Sequence, residues 1–109
     1  MYQNTCSFIL NCLEHFLGEG KEIIDGLAAA STCDCPRRLA DVWEHYELTP
    51  FIHTIGVPRK ISPAAYELYE GELHDFIDKL SAHLGTEITH QALWEAIGIY
   101  NRKRQLLRD

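Results

Sequence analysis

The sequence predicts an α/β fold: part of a parallel sheet with its helices, followed by a long antiparallel helical hairpin. Three observations lead there. Two short apolar runs, Ile23 to Ser31 and Phe51 to Ile55, each follow a segment of helical periodicity, and from Ser62 onward the periodicity is helical almost to the end. Helix and strand in alternation are the pattern of parallel strands joined by a helical crossover.

The first helix runs from Thr5, with Ile9, Cys12, Leu13, Phe16 and Leu17 on its inner face and Gly18 and Gly20 as its stop. Ile23 to Ser31 is apolar and small-residue rich, which suits a strand covered on both faces, although alanine is a poor strand former. Pro36 opens the second helix, where its missing N–H costs nothing, and Leu39, Val42, Trp43 and Tyr46 mark a buried face. Phe51 to Ile55, β-branched and aromatic, forms the second strand, punctuated by Gly56 and Pro58. Ser62-Pro63 starts the third helix, whose stripe is Tyr66, Tyr69, Leu73, Phe76, Ile77, Leu80 and Leu84, with Gly85 at its end. Thr89 caps the fourth, with Ile88 and Leu93 as a hydrophobic staple and Ile97, Tyr100 and Leu107 continuing the stripe. The expected organisation is a partial α/β region over 1–60, of the flavodoxin-like or Rossmann-like kind, and a helical hairpin over 61–109. Two strands make a very small sheet, so the chain reads as a piece of a longer polypeptide or a truncated reading frame.

At 109 residues, with 46% hydrophobic and 24% charged residues, the chain has the composition of one globular domain. A net charge of −6 opposes nucleic-acid and anionic-membrane binding. No apolar run approaches a membrane span, and Met1-Tyr2-Gln3-Asn4 lacks the basic start of a secretory signal. A cytoplasmic protein with no membrane and no nucleic-acid partner is the expectation.

All four cysteines, Cys6, Cys12, Cys33 and Cys35, fall in the first third of the chain. Clustered cysteines in an intracellular chain bind metal or do redox work more often than they form disulfides. In open α/β sheets the carboxyl ends of strands and the amino ends of the following helices share one edge, where ligands bind. Cys6 opens the first helix, and Cys33 and Cys35 lie between the first strand and the second helix, so all three are expected at that edge. Cys12, further down its helix, is expected in the core. Helix amino ends stabilise anions such as a thiolate-ligated cluster. The spacing matches no compact ferredoxin or zinc pattern, so on chemistry alone metal or cluster binding, inert thiols and a reactive catalytic thiol all remain open.

The stretches Cys6-Ser7-Phe8, Asp25-Gly26-Leu27, Thr32-Cys33-Asp34, Arg37-Arg38-Leu39, Asp41-Val42-Trp43 and Val57-Pro58-Arg59-Lys60 resemble the benzoyl-CoA reductase and 2-hydroxyglutaryl-CoA dehydratase subunit family. So do Glu87-Ile88-Thr89, Leu93, Glu95-Ala96-Ile97, Tyr100-Asn101 and Arg104 to Leu107, which resemble that family's helical hairpin, and the nearest branch is the benzoyl-CoA reductases. The resemblance implies an iron–sulfur subunit of an ATP-dependent, radical-type acyl-CoA reductase or 2-hydroxyacyl-CoA dehydratase, inactive as this piece alone. It implies a [4Fe-4S] cluster on Cys6 and Cys33, with a third ligand outside this chain. Cys35 departs from the family pattern and is either a spare ligand, a replacement or a buried thiol. The implied partners are a paired homologous subunit, a separate ATP-hydrolysing activator that donates electrons, and a CoA thioester substrate. Some relatives carry a double-cubane cluster and reduce small molecules, which gives a second enzymatic reading. A third is a non-enzymatic helical assembly module with inert thiols.

The remaining polar residues are weighed against plainer roles. Arg59 and Lys60 follow the second strand at the ligand edge, where CoA phosphates would meet them, against simple surface solvation. Arg37 and Arg38 open the second helix, where the dipole disfavours cations, so Asp34 or the cluster is the expected compensation. His53, mid-strand, reads as structural; His15, His45, His74, His83 and His90 show no metal-ligand spacing and read as solvated. Trp43, Trp94 and the tyrosines read as core or subunit-interface residues.

Overall fold

The computed structural model describes residues 4–108; Met1 to Gln3, which belong to the amino-terminal segment read above for a secretory signal, and Asp109 lie outside the described residues. The order is α1 (Ser7–Gly18), a 3-10 turn (Gly20–Glu22), β1 (Gly26–Ala30), α2 (Asp34–His45), β2 (Phe51–Ile55), α3 (Pro63–Leu84) and α4 (His90–Leu106). The strands form a two-stranded parallel sheet in register from Gly26 opposite Phe51 to Ala30 opposite Ile55, which is the α/β arrangement expected. The chain forms two compact units, Met1–Phe76 and Ile77–Asp109, divided within α3.

In the first unit α1 and α2 cover one face of the sheet. Ile9 and Phe16 from α1 and Leu39 and Trp43 from α2 are buried together, and Leu27 of β1 and Ile52 of β2 pack against them. The Phe16 and Trp43 rings lie 4.1 Å apart between centroids at 43°, a contact that contributes on the order of 1 kcal/mol beyond its area. Trp43 has its polar edge satisfied: Nε1 donates to Thr49 Oγ1 at 2.9 Å, and that hydroxyl donates to the Phe51 carbonyl at 2.8 Å. One side chain thereby ties α2 to the start of β2.

Alternation turns Phe51 and His53 to the opposite face, where both meet Phe76 of α3. The sequence of β1 is small for a local reason. A Cβ on Gly26 would stand 2.9 Å from Cβ of Phe51, so glycine lets the strands start side by side.

Several expectations are corrected. β1 begins at Gly26 because Ile23 and Ile24 donate their N–H groups to the Gly20 carbonyl in a tight turn, which leaves Ile23 79% exposed. α2 starts two residues before Pro36, which still falls in the first turn, where a missing N–H is harmless. Tyr46 is not on the buried face: it ends the helix and is 67% exposed. There the chain turns through Glu47 at φ +47°, with Glu47 N–H donating to the Glu44 carbonyl and Leu48 N–H to the Trp43 carbonyl. This is a Schellman ending built without the usual glycine.

In the second unit, Gly85 at φ +63° ends α3 and the Thr89 hydroxyl accepts from Ala92 N–H at 3.2 Å, as the sequence predicts. Along α3 the stripe is only half-buried at Tyr69, Phe76, Ile77 and Leu80, while Tyr66, Leu73 and Leu84 are exposed. On α4 every residue is exposed, including Leu93, Trp94, Ile97 and Tyr100. The faces that an antiparallel hairpin would bury stay open, because periodicity specifies which face is apolar but not what covers it. Among the described residues no helix is long and apolar enough to cross a membrane.

Candidate functional site

Parallel pairing puts the carboxyl ends of β1 and β2 at one rim, and α2 begins there. Cys33 is the N-cap of α2 and Cys6 the N-cap of α1, both with extended backbone. Thr5, beside Cys6, and Asp34 and Cys35, beside Cys33, line one hollow of about 270 Å³ with Asn4 and Arg38. The two N-caps therefore stand at the same rim. Both cysteines are exposed, and neither side chain hydrogen-bonds to cap its helix, so both thiols are uncommitted.

Cys35 is half-buried against the Ile9, Phe16, Leu39 and Trp43 cluster while still lining the hollow. Cys12 is exposed and not in the core. The buried positions of α1 are Ile9 and Phe16, and Cys12 lies beside them along the open side of β1, in a hollow it shares with Phe8, Leu27 and Ala28. Arg38 finds the acidic compensation expected at the start of α2, with Nε 3.5 Å from Asp34 Oδ2 and Nη1 3.6 Å from Asp41 Oδ2. These pairs are exposed and contribute little to stability.

The donor set suits thiophilic metal, but it is partial. Cys6 and Cys33 offer two sulfur donors, Cys35 lines the hollow next to Cys33, and among the described residues no group of three or more His, Cys, Asp or Glu is placed to hold a metal ion. The free amide N–H groups of two helix starts favour negative charge at this rim.

Arg59 and Lys60 are both exposed after β2. The loop before them is pinned by bonds that no local pattern in the sequence discloses. Gly56 N–H donates to Glu72 Oε2 at 2.7 Å, and Val57 N–H donates to Ser31 Oγ at 3.3 Å. Beyond that loop Val57, Pro58, Lys60, Ile61, Ala65, Tyr66 and Tyr69 line a second hollow of about 230 Å³. Helical periodicity assigns both tyrosines to a core stripe; their spacing from Lys60 across the Ser62-Pro63 helix start is the signal that points to the hollow instead. His53 is 7% exposed and stacks on Phe76 at 5.4 Å, and its Nε2 has no hydrogen bond and lies 3.9 Å from Asp75 Oδ2.

A family model of the 2-hydroxyglutaryl-CoA dehydratase D-component matches residues 1–109. The chain belongs to that family. Among curated proteins, a subunit of the benzoyl-CoA reductase of Thauera aromatica is 27% identical over 110 aligned positions, covering 99% of this chain. The chain spans 28% of that relative's length. No solved structure matches. Family membership agrees with the resemblance carried by the Cys6, Thr32-Cys33-Asp34 and Val57-Pro58-Arg59-Lys60 segments.

Proposed function

We propose that the chain is part of an iron–sulfur subunit of an ATP-dependent, radical-type acyl-CoA reductase or 2-hydroxyacyl-CoA dehydratase, with Cys6 and Cys33 as ligands of a [4Fe-4S] cluster. The observation that carries this reading is the pair of exposed cysteines at the N-cap positions of two helices, neither thiol used as a cap, whose neighbours line one hollow. When bound, such a cluster supplies single electrons at low potential to a thioester. The protein's part is to hold, orient and shield. Cys6 and Cys33 would hold the cluster from two different elements, with a third cysteine from outside this chain, and the two helix starts would stabilise its negative charge. Cys35, half-buried at the hollow, serves as a spare donor or as packing beneath the site. Arg59 and Lys60 pair with the phosphates of the CoA thioester. A homologous subunit and an ATP-hydrolysing, electron-donating activator complete the system, which works in the cytoplasm.

Anaerobic reconstitution with iron and sulfide tests this in a longer parent chain. Thiolate-to-iron charge-transfer absorption appears in the parent and is lost with Cys6→Ser and Cys33→Ser together; a double variant that reconstitutes normally removes the assignment.

A second reading rests on the exposed stripe of α4, where Trp94 is 69% and Tyr100 60% exposed. Those residues would contact a partner subunit whether or not the thiols bind a cluster. A purely structural module predicts that assembly survives replacement of both cysteines and that the assembly is colourless.

A further inference from the structure

We propose that the free edge of β1 is a docking edge for a third parallel strand, supplied by polypeptide of the same subunit outside these 109 residues. The proposal rests on reading the chain as part of a larger subunit, and it is independent of the cluster. The backbone carries the first observation. Ser31 N–H donates to the Ile55 carbonyl at 2.9 Å, and successive residues of a strand turn their N–H and C=O groups to alternate sides, so Leu27, Ala29 and Ser31 pair with β2. Gly26, Ala28 and Ala30 therefore aim theirs at the free edge. Among the described residues only the Ala30 carbonyl finds a partner there, the Thr32 N–H at 2.8 Å. An edge left open in this way is a template for another strand.

Side chains carry the second. Along this edge an apolar hollow of about 480 Å³ opens between α1 and β1, walled by Phe8, Cys12, Ile24, Leu27, Ala28 and Ala30. Phe8, Cys12 and Ile24 are exposed in it, so three residues with the character of core have no cover. No Asp, Glu, Lys or Arg among the described residues lines the hollow, so its occupant is apolar on the side facing α1. Handedness names that occupant. α1 and α2 cover the same face of the sheet, with β2 on one side of β1. A right-handed crossover through α1 on that face has its incoming strand on the other side of β1, running parallel to it. Two copies meeting edge to edge about a two-fold axis would pair antiparallel instead. In the Thauera aromatica relative the matching region is 28% of the chain, which leaves ample polypeptide to provide such a strand.

Amide hydrogen exchange in the 109-residue chain and in the longer parent subunit tests this. Ala28 and Ala30 exchange about a hundredfold more slowly in the parent, while Ala29, bonded to β2, is protected in both. Cys12 reacts with iodoacetamide in the 109-residue chain and is shielded in the parent prepared without a cluster. Ala28→Pro removes only an edge N–H, so the amides shared by β1 and β2 stay protected in the 109-residue chain, whereas in the parent the variant exposes Cys12 again. The proposal is overturned if Ala28 exchanges equally fast in both proteins or if Cys12 stays reactive in the parent. It is also overturned if the edge becomes protected in the 109-residue chain as concentration rises and sedimentation shows a dimer, which gives the edge to a second copy. Cluster absorption is read separately in the parent, so the two readings fail independently.

Discussion

The bond between Glu72 and the Gly56 amide joins the carboxyl end of β2 to α3, and it offers a sharp energetic test. The carboxylate accepts at 2.7 Å in a half-buried place. Charge-assisted bonds contribute about 1.5–3 kcal/mol, and partial exposure puts this one at the low end, about 1.5–2 kcal/mol. Glu72→Ala should lose that amount, a fall in Tm of about 6–16 °C for a unit of this size. Gly56→Ala attacks the same bond from the other side. A Cβ there would stand 2.9 Å from Glu72 Oε2 and 3.0 Å from its Cδ, so the carboxylate must swing away and the bond is lost. Each single change therefore removes one shared interaction, and the double variant should cost about as much as either alone instead of the additive ~3–4 kcal/mol. Urea unfolding followed by Trp43 fluorescence, in a Trp94→Phe background, measures all four corners of the cycle. Additive losses, or a Glu72→Ala cost below about 0.5 kcal/mol, would refute the reasoning.

Other changes test the frame around the rim. Glu47→Gly relieves a left-handed backbone at φ +47° and should stabilise the chain by about 0.5–1 kcal/mol after glycine's own entropy is counted, whereas Glu47→Val should destabilise it; urea midpoints decide the sign. Trp43→Phe deletes the bond to Thr49 and leaves space beside Phe16, so it should cost about 2–3 kcal/mol by urea unfolding monitored with far-ultraviolet circular dichroism; a loss under about 1 kcal/mol would mean that the indole is not the strut between α2 and β2.

Much of this architecture is legible in the sequence because it is local. Ser62-Pro63, Gly85 and Thr89 announce their helix ends by chemistry that acts within a few residues, and the structure keeps all three. The failures have one character. Ile23 and Ile24 look like strand by composition, but a carbonyl at Gly20 captures their amides first. Cys12 has core spacing on α1, yet whether that side of the helix is covered depends on what lies beyond β1. Tyr66 fits a buried stripe and instead lines a hollow beside Lys60. A helical period records where a side chain points and leaves the neighbour unspecified.

The candidate rim shows the same division between local and distant causes. That Cys6 begins a helix follows from its immediate sequence, whereas Cys33 is an N-cap because α2 starts two residues ahead of Pro36; that their neighbours line one hollow requires the crossover through β1. Ser31 adds a link that periodicity could not reveal. It lies two residues before Cys33, its amide extends the ladder to the Ile55 carbonyl at 2.9 Å, and its hydroxyl accepts from Val57 at the wall of the second hollow. The segment that sets Cys33 thus also sets the Val57-Pro58 wall. Ser31 is therefore held at both its amide and its hydroxyl, and any shift of the β1 end would move the Cys33 N-cap and the Val57-Pro58 wall together.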